Sequence, residues 1–444
     1  MGAIPKTFKN KAFDEAIFKK YHNAKVSVLS SVKPDLATLT KTKKLFLSGE
    51  ISEPILTYQK NIKIDYDKPE QLLHELSLEI SEDNELPQII REQYDLVVTE
   101  KLMKIQMLRQ TQSLALGKDV VSSMELFQKC SDSLYGEIES DIFCQVIQSI
   151  ERDVCRVISD PKFPAANVAA GNRLLSLIKI YTVTQKQYTS LEVTPKILVK
   201  RSPAVTDADT LKEIFEQGLV EYGIDSGWKV VVDVKGTRST ISVSYDLQTI
   251  YLPSTEQLLN RSKRKRLTAS RIRGLIAHEI GTHVVRKMNG ENSRLKLLGS
   301  GLYQYEQGEE GLATYREQSA MSLHGYAGLE AYLAIGLAKG FDGGGLKNFA
   351  QVHAILTDYY QVMEKTTDTH AKELAWNRCV RIFRGTSGTI PGVVFSKDII
   401  YRHGNIRHWE AVQNNDLAEI NIDSGKFDPT NKNHITFLKK LAEL

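Results

Sequence analysis

Long apolar runs are missing from this 444-residue sequence. The longest, Ala331–Ala338, falls far short of the ~18–20 residues that cross a bilayer, so no membrane span is expected. Cysteine is scarce: Cys130, Cys144, Cys155 and Cys379 lie far apart, with no Cys-x-x-Cys pair. That excludes a disulfide scaffold and points to reduced thiols in a cytoplasmic protein. Neither sign of charge dominates, since 58 Lys+Arg against 54 Asp+Glu leave a net +4. So small an excess does not call for nucleic acid. The first eighteen residues carry basic side chains without an apolar h-region or a small-residue cleavage site. Lys6 also stands where a myristoylation signal needs Ser or Thr. Internal repeats and low-complexity tracts are absent too.

What remains, at 41% hydrophobic and 25% charged residues, is a globular composition large enough for its own core. The first half reads as helical. Val98, Leu102, Ile105 and Leu108 recur at helical spacing within Gln93–Gln110, and Ser140–Val157 behaves alike. Phe46–Tyr58, broken by Gly49 and Pro54, reads as a loop. Two prolines within Leu191–Pro203 mark a connection into a second unit. That unit opens with a helix near Asp207–Tyr222. Strands follow over Trp228–Val234 and Ser239–Pro253, the second folding back near Asp246. From Ala269 onward helices return, interrupted by Asp342–Gly345 and Gly385–Gly392. The expected class is α+β, mainly α, with a helical region 1–203 and a catalytic domain 204–444.

Chemistry enters at Leu275–Arg286, LIAHEIGTHVVR. His278, Glu279 and His283 form H-E-x-x-x-H, one residue longer than the zincin H-E-x-x-H. On a regular helix, residues four apart differ by about 40° around the axis and share a face, whereas residues five apart differ by about 140°. Two histidines meant for one metal therefore require a distorted turn. Gly281 lies inside the interval, where distortion costs least, so a bulge is predicted at Ile280–Thr282. Chance places only about one or two such motifs per hundred chains of this length. Neutral imidazoles bind zinc, a catalytic zinc keeps one position for water, and a neighbouring carboxylate can take that water's proton. Glu279 is placed to be this base. A third ligand must come from elsewhere, and Glu306, Glu309, Glu310 and Glu317 in YEQGEEGLATYREQ all compete. Spacing alone does not choose among them.

HEIGTH (His278–His283), EEGLA (Glu309–Ala313) and CVRIFRGTSGTIPGVVFSKDIIY (Cys379–Tyr401) together resemble the tyrosine carboxypeptidase family, whose bacterial members are called QEGLA-motif proteins. The resemblance covers roughly 204–404. It implies a zincin-like domain and one zinc ion held by His278, His283 and Glu310, with Glu279 as general base. It also implies release of a C-terminal tyrosine or another aromatic residue from a peptide or protein tail. After Tyr401, RHGNIRHW departs from the family pattern.

A carboxypeptidase must read a free carboxylate, best with a guanidinium. Arg381 and Arg384, three apart, are expected on one helix face. Lys397 and Tyr401 could add a second cation and an oxyanion-binding hydroxyl. The strand Ser239–Tyr245 could hold an extended peptide along a sheet edge. Arg261–Arg273, RSKRKRLTASRIR, is a basic loop that could steer an acidic tail; with no interleaved aromatic, it does not suggest nucleic acid. The rival readings are a zinc aminopeptidase or endopeptidase, or a non-catalytic metal-stabilised binding protein.

Overall fold

A computed structural model describes residues 12–59, 65–117, 120–182, 203–235, 240–261, 266–323, 325–417 and 421–444. The chain is mainly helical with a small amount of sheet, as its periodicities require. Among the described residues five short strands occur: β1 (Ala204–Val205), β2 (Lys229–Asp233), β3 (Ser242–Ser244), β4 (Thr249–Pro253) and β5 (Leu267–Thr268). β1 and β5 pair antiparallel as a two-stranded ribbon. The other three form a sheet ordered β2-β4-β3, in which β2 runs parallel to β4 and β3 antiparallel to it. The fold-back between β3 and β4 includes Asp246, as expected, and Gln248 takes a φ of 45° there. β3, within the expected edge segment, does lie at a sheet edge.

Among the described residues three hydrophobic cores form. One packs the helices Ser140–Ile158 and Ala165–Thr182 against Leu329–Ala338, Phe349–Met363 and Asp368–Phe383. A second joins the helices Asp67–Glu82, Gln88–Ala115 and Val120–Tyr135 to Leu295, Leu297, Phe395, Ile400 and Phe427. The larger cores therefore mix residues from both sides of position 203. That position marks where the sheet-bearing part begins and is not a seam between two cores. Hydrophobic periodicity reports which face of a helix is buried but not which distant helix buries it, so the mixing left no mark in the sequence.

The third core carries the histidine motif. Ile272, Ile276, Ile280 and Val284, each four apart, turn one face of the motif helix onto Phe215, Val230, Ile250 and Leu252. Ile280 and Val284 are completely buried, which favours folding by roughly 1.5–3 kcal/mol for each side chain. The opposite face is thereby presented to the helix Glu306–Met321. That helix in turn crosses Ile399–Gln413 backbone to backbone: a Cβ on Gly311 would stand 2.4 Å from the carbonyl of Gly404. Only glycine allows this approach, and it fixes the register between Glu310 and Tyr401.

Candidate metal centre and active site

The predicted distortion is present, and it is wider than three residues. Regular helix runs from Ala269 to His278, a π-helical turn follows over Glu279–Val284, and α-helix resumes at Val285. In an i→i+5 turn, residues five apart stand over one another as residues four apart do in an α-helix. His278 and His283 accordingly face each other with ring centroids 5.1 Å apart. A Cβ on Gly281 would lie 2.5 Å from the Tyr222 hydroxyl oxygen, so a larger residue there has to displace that ring.

Of the four competing carboxylates, Glu310 converges with the histidines. Its Oε2 lies 3.8 Å from His278 Nε2 and 3.8 Å from His283 Nε2. One donor atom from each of the three residues falls within 4.8 Å of the others. Donors bound to one tetrahedral zinc at ~2.0–2.2 Å stand about 3.3–3.6 Å apart, so an ion of that size fits with small adjustments.

Two other carboxylates back the imidazoles. Glu317 Oε2 accepts from His278 Nδ1 at 3.0 Å, and Glu309 Oε1 accepts from His283 Nδ1 at 2.9 Å. An ionised carboxylate only accepts, so each Nδ1 carries a proton, and once the ring is neutral each Nε2 offers its lone pair on the side of Glu310. Burial works against the charged form of His278. The hydrogen bond that His278 donates to Glu317 and the charges of Glu279 and Glu310 outweigh it, lifting its pKa to about 9. Glu309 also resists protonation. Although burial pushes its carboxyl upward, the Arg286 guanidinium and the Lys426 ammonium pull it down to about 2. Arg286 is wholly buried and forms an ion pair with Glu309. Burial raises the pKa of Glu279, which lies within electrostatic reach of both histidines.

Glu306, the fourth competitor, faces away from the histidines. It pairs with Lys397 and, at 3.2 Å, with Lys104, which also holds Glu100 at 2.6 Å. Lys397 is thus part of a buried ion cluster a turn before Glu310. It is not grouped with the arginines.

The expected shared helix face of the arginines needs correcting. Arg381 lies on the helix Asp368–Phe383, whereas Arg384 caps its end with extended backbone (ψ 140°). They meet nonetheless through a third residue, Asp398, which is almost fully buried. Arg381 binds it with two nitrogens, Nη2 at 3.1 Å, and Arg384 Nη2 reaches the same carboxylate at 3.2 Å. Tyr401 lies within electrostatic reach of both Glu310 and this cluster. The charge of Glu310, then burial and Asp398, push its phenol well above the ordinary range, while Arg381 and Arg384 pull it back.

Residues 262–265 of the basic run lie outside the described residues. Its second half is not a loop, since it forms β5 and the start of the motif helix. Asp398, Arg286 and Lys426 escaped the sequence reading because their roles depend on contacts distant in the chain. Only Arg286 left a local signal, standing three residues beyond His283.

Residues 180–326 match the family described as microtubule-associated tyrosine carboxypeptidase. The matched stretch holds all three converging residues and ends before Arg381, Arg384, Lys397 and Tyr401. No curated protein and no solved structure matches the chain.

Proposed function

We propose, with the family match over 180–326 as premise, that this protein is a zinc carboxypeptidase that removes a C-terminal tyrosine or another aromatic residue from a peptide or protein tail. The observation that carries the reading is the convergence of two imidazole Nε2 atoms on Glu310, each ring backed by its own carboxylate. His278, His283 and Glu310 would hold the ion. When bound, zinc supplies a Lewis acid and lowers the pKa of a water in its coordination sphere.

The chain's own residues do the rest. Glu279 takes the proton of the attacking water as the scissile carbonyl becomes tetrahedral, and passes it to the leaving amine as the C–N bond breaks. Tyr401 donates its hydroxyl toward the developing oxyanion. Arg381 and Arg384 receive the terminal carboxylate, with Asp398 holding their guanidinium groups in place. A zincin-like arrangement belongs to the same reading. It is supported by the order of a sheet with an edge strand, a motif helix and a glutamate-bearing helix. An acidic tail in a cytoplasmic setting completes it, supported by the basic run Arg261–Arg273 and four free thiols.

The paired guanidinium groups favour a carboxylate-reading site over one that recognises an amino terminus. Peptides with blocked ends test this. Acetylating the N-terminus of a tyrosine-ended peptide should leave release of the last residue intact, and amidating its C-terminus should abolish it. Cleavage of the amidated peptide, or its loss on acetylation, would transfer the site to an endopeptidase or an aminopeptidase.

A further inference from the structure

The wide turn that brings the histidines together creates a local deficit. The amide of Val285 donates to the carbonyls of Ile280 and Thr282 and passes over that of Gly281, its ordinary α-helical acceptor. A π turn is also rare and persists only where its surroundings favour it. Two side chains meet this need. Thr282 Oγ1 donates to the Ala277 carbonyl at 3.0 Å from within the same turn. Arg316, on the glutamate-bearing helix, donates through Nη1 to the Gly281 carbonyl at 2.5 Å.

Arg316 is itself held from behind. Its Nη2 lies 2.8 Å from a carboxylate oxygen of Asp423. The segment carrying Asp423 is tied to the motif helix at two further points. Arg286 donates to the carbonyls of Ile422 and Phe427 at 2.8 and 2.7 Å, and Asn289 donates to that of Asp423 at 2.7 Å. Residues 422–427 thus pass along the rear of the motif helix, and Arg316 bridges them to the Gly281 carbonyl.

We propose that Arg316, braced by Asp423, is a positioning residue that holds the Glu279–Val284 turn in its π register so that His278 and His283 converge. Arg316 touches neither substrate nor the reacting atoms and acts through the Gly281 carbonyl. Its importance for metal affinity rests on the zinc reading above; its effect on the turn does not. Without the clamp, the hydrogen bonds of the turn open more readily and the two imidazoles are no longer held together.

The test compares the full-length wild type with Arg316→Ala, Arg316→Lys and Asp423→Asn. Amide hydrogen exchange is followed across residues 280–286 in metal-free protein, and Zn²⁺ affinity is measured by chelator competition. Arg316→Ala should lose amide protection in the turn while keeping it in the helix Phe349–Met363, and should bind Zn²⁺ about 10–100-fold more weakly. Arg316→Lys, which keeps one donor, should recover part of both. Wild-type protection and affinity in Arg316→Ala would overturn the proposal. Should Arg316→Ala fail to fold, Asp423→Asn decides: reduced protection in the turn supports the clamp, and unchanged protection overturns it. If the wild type binds no Zn²⁺, the peptidase reading falls, and amide protection alone judges the clamp.

Discussion

Two histidines of the motif helix, His278 and His283, and two on a later helix, His403 and His408, behave in opposite ways. His278 and His283 have a carboxylate behind each ring and a third in front. His403 and His408, on the helix Ile399–Gln413, lie among arginines. Burial first, then Arg407 and Arg402, lower the pKa of His403 to about 4. Burial first, then Arg286 and Arg316, lower that of His408 to about 3. His403 Nε2 meets the Tyr332 hydroxyl at 2.9 Å, and both ring nitrogens of His408 are buried without a hydrogen-bond partner. Burial alone therefore does not make a histidine a ligand. A carboxylate, Glu139, stands 3.6 Å from His403 Nε2 as well; what distinguishes the first pair is a carboxylate hydrogen-bonded to each Nδ1, which fixes the neutral ring's tautomer and aims its lone pair at a common point.

The largest effect expected from this contrast comes from truncating one histidine of each pair. His278→Ala should lose the metal and at least about 10³-fold in peptide hydrolysis. His408→Leu should keep both, and any change should appear in the melting curve. Equal metal loss in the two variants would break the comparison.

A smaller effect separates holding the metal from reading the substrate. Arg381→Lys removes a bidentate partner of Asp398 without touching the metal residues. We expect KM to rise about tenfold with unchanged zinc content, because a point-charge ammonium replaces a planar fork. Steady-state kinetics with metal analysis would expose the opposite result, a fall in kcat with KM unchanged.

The smallest effect lies in pH. A histidine whose pKa is lowered on folding binds fewer protons in the native state than in the unfolded one. The stability that His403 and His408 contribute in neutral form is therefore present above the unfolded value of about 6.5, and is lost as pH falls toward their native values of about 4 and 3. From pH 7.5 to 6 each should cost about 0.8 kcal/mol. In denaturant melts the stability of wild type relative to His408→Leu should fall by about 0.8 kcal/mol from pH 7.5 to pH 6; a constant difference would refute the assignment.

Much of this centre is legible in the sequence. The five-residue spacing of His278 and His283, with Gly281 between, required a widened turn, and the turn is there. Glu310 came from resemblance; spacing left four carboxylates open because helical phase does not say which face meets a partner. Glu310 and Glu317 share a face, seven apart, while Glu309 sits a step around the axis, yet all three serve the histidines because the motif helix crosses at that level. The arginines were found as residues but misplaced as a helical face, since Arg384 lies past the helix end. Asp398, Lys426 and the Arg316 bridge depend on contacts between segments far apart in the chain, which no local pattern encodes. The boundary at 203 came from composition, which marks a change of local structure and cannot reveal that helices on both sides share cores.

The central claim is that Glu279 works as a base beside a metal held by His278, His283 and Glu310. Glu279→Gln keeps the size of the side chain and removes its ability to take a proton. Zinc content and release of tyrosine from an unblocked peptide should be measured on the same preparation. The account predicts one zinc per chain, as in the wild type, with hydrolysis down by about 10²–10⁴-fold. One zinc with unchanged hydrolysis would contradict it.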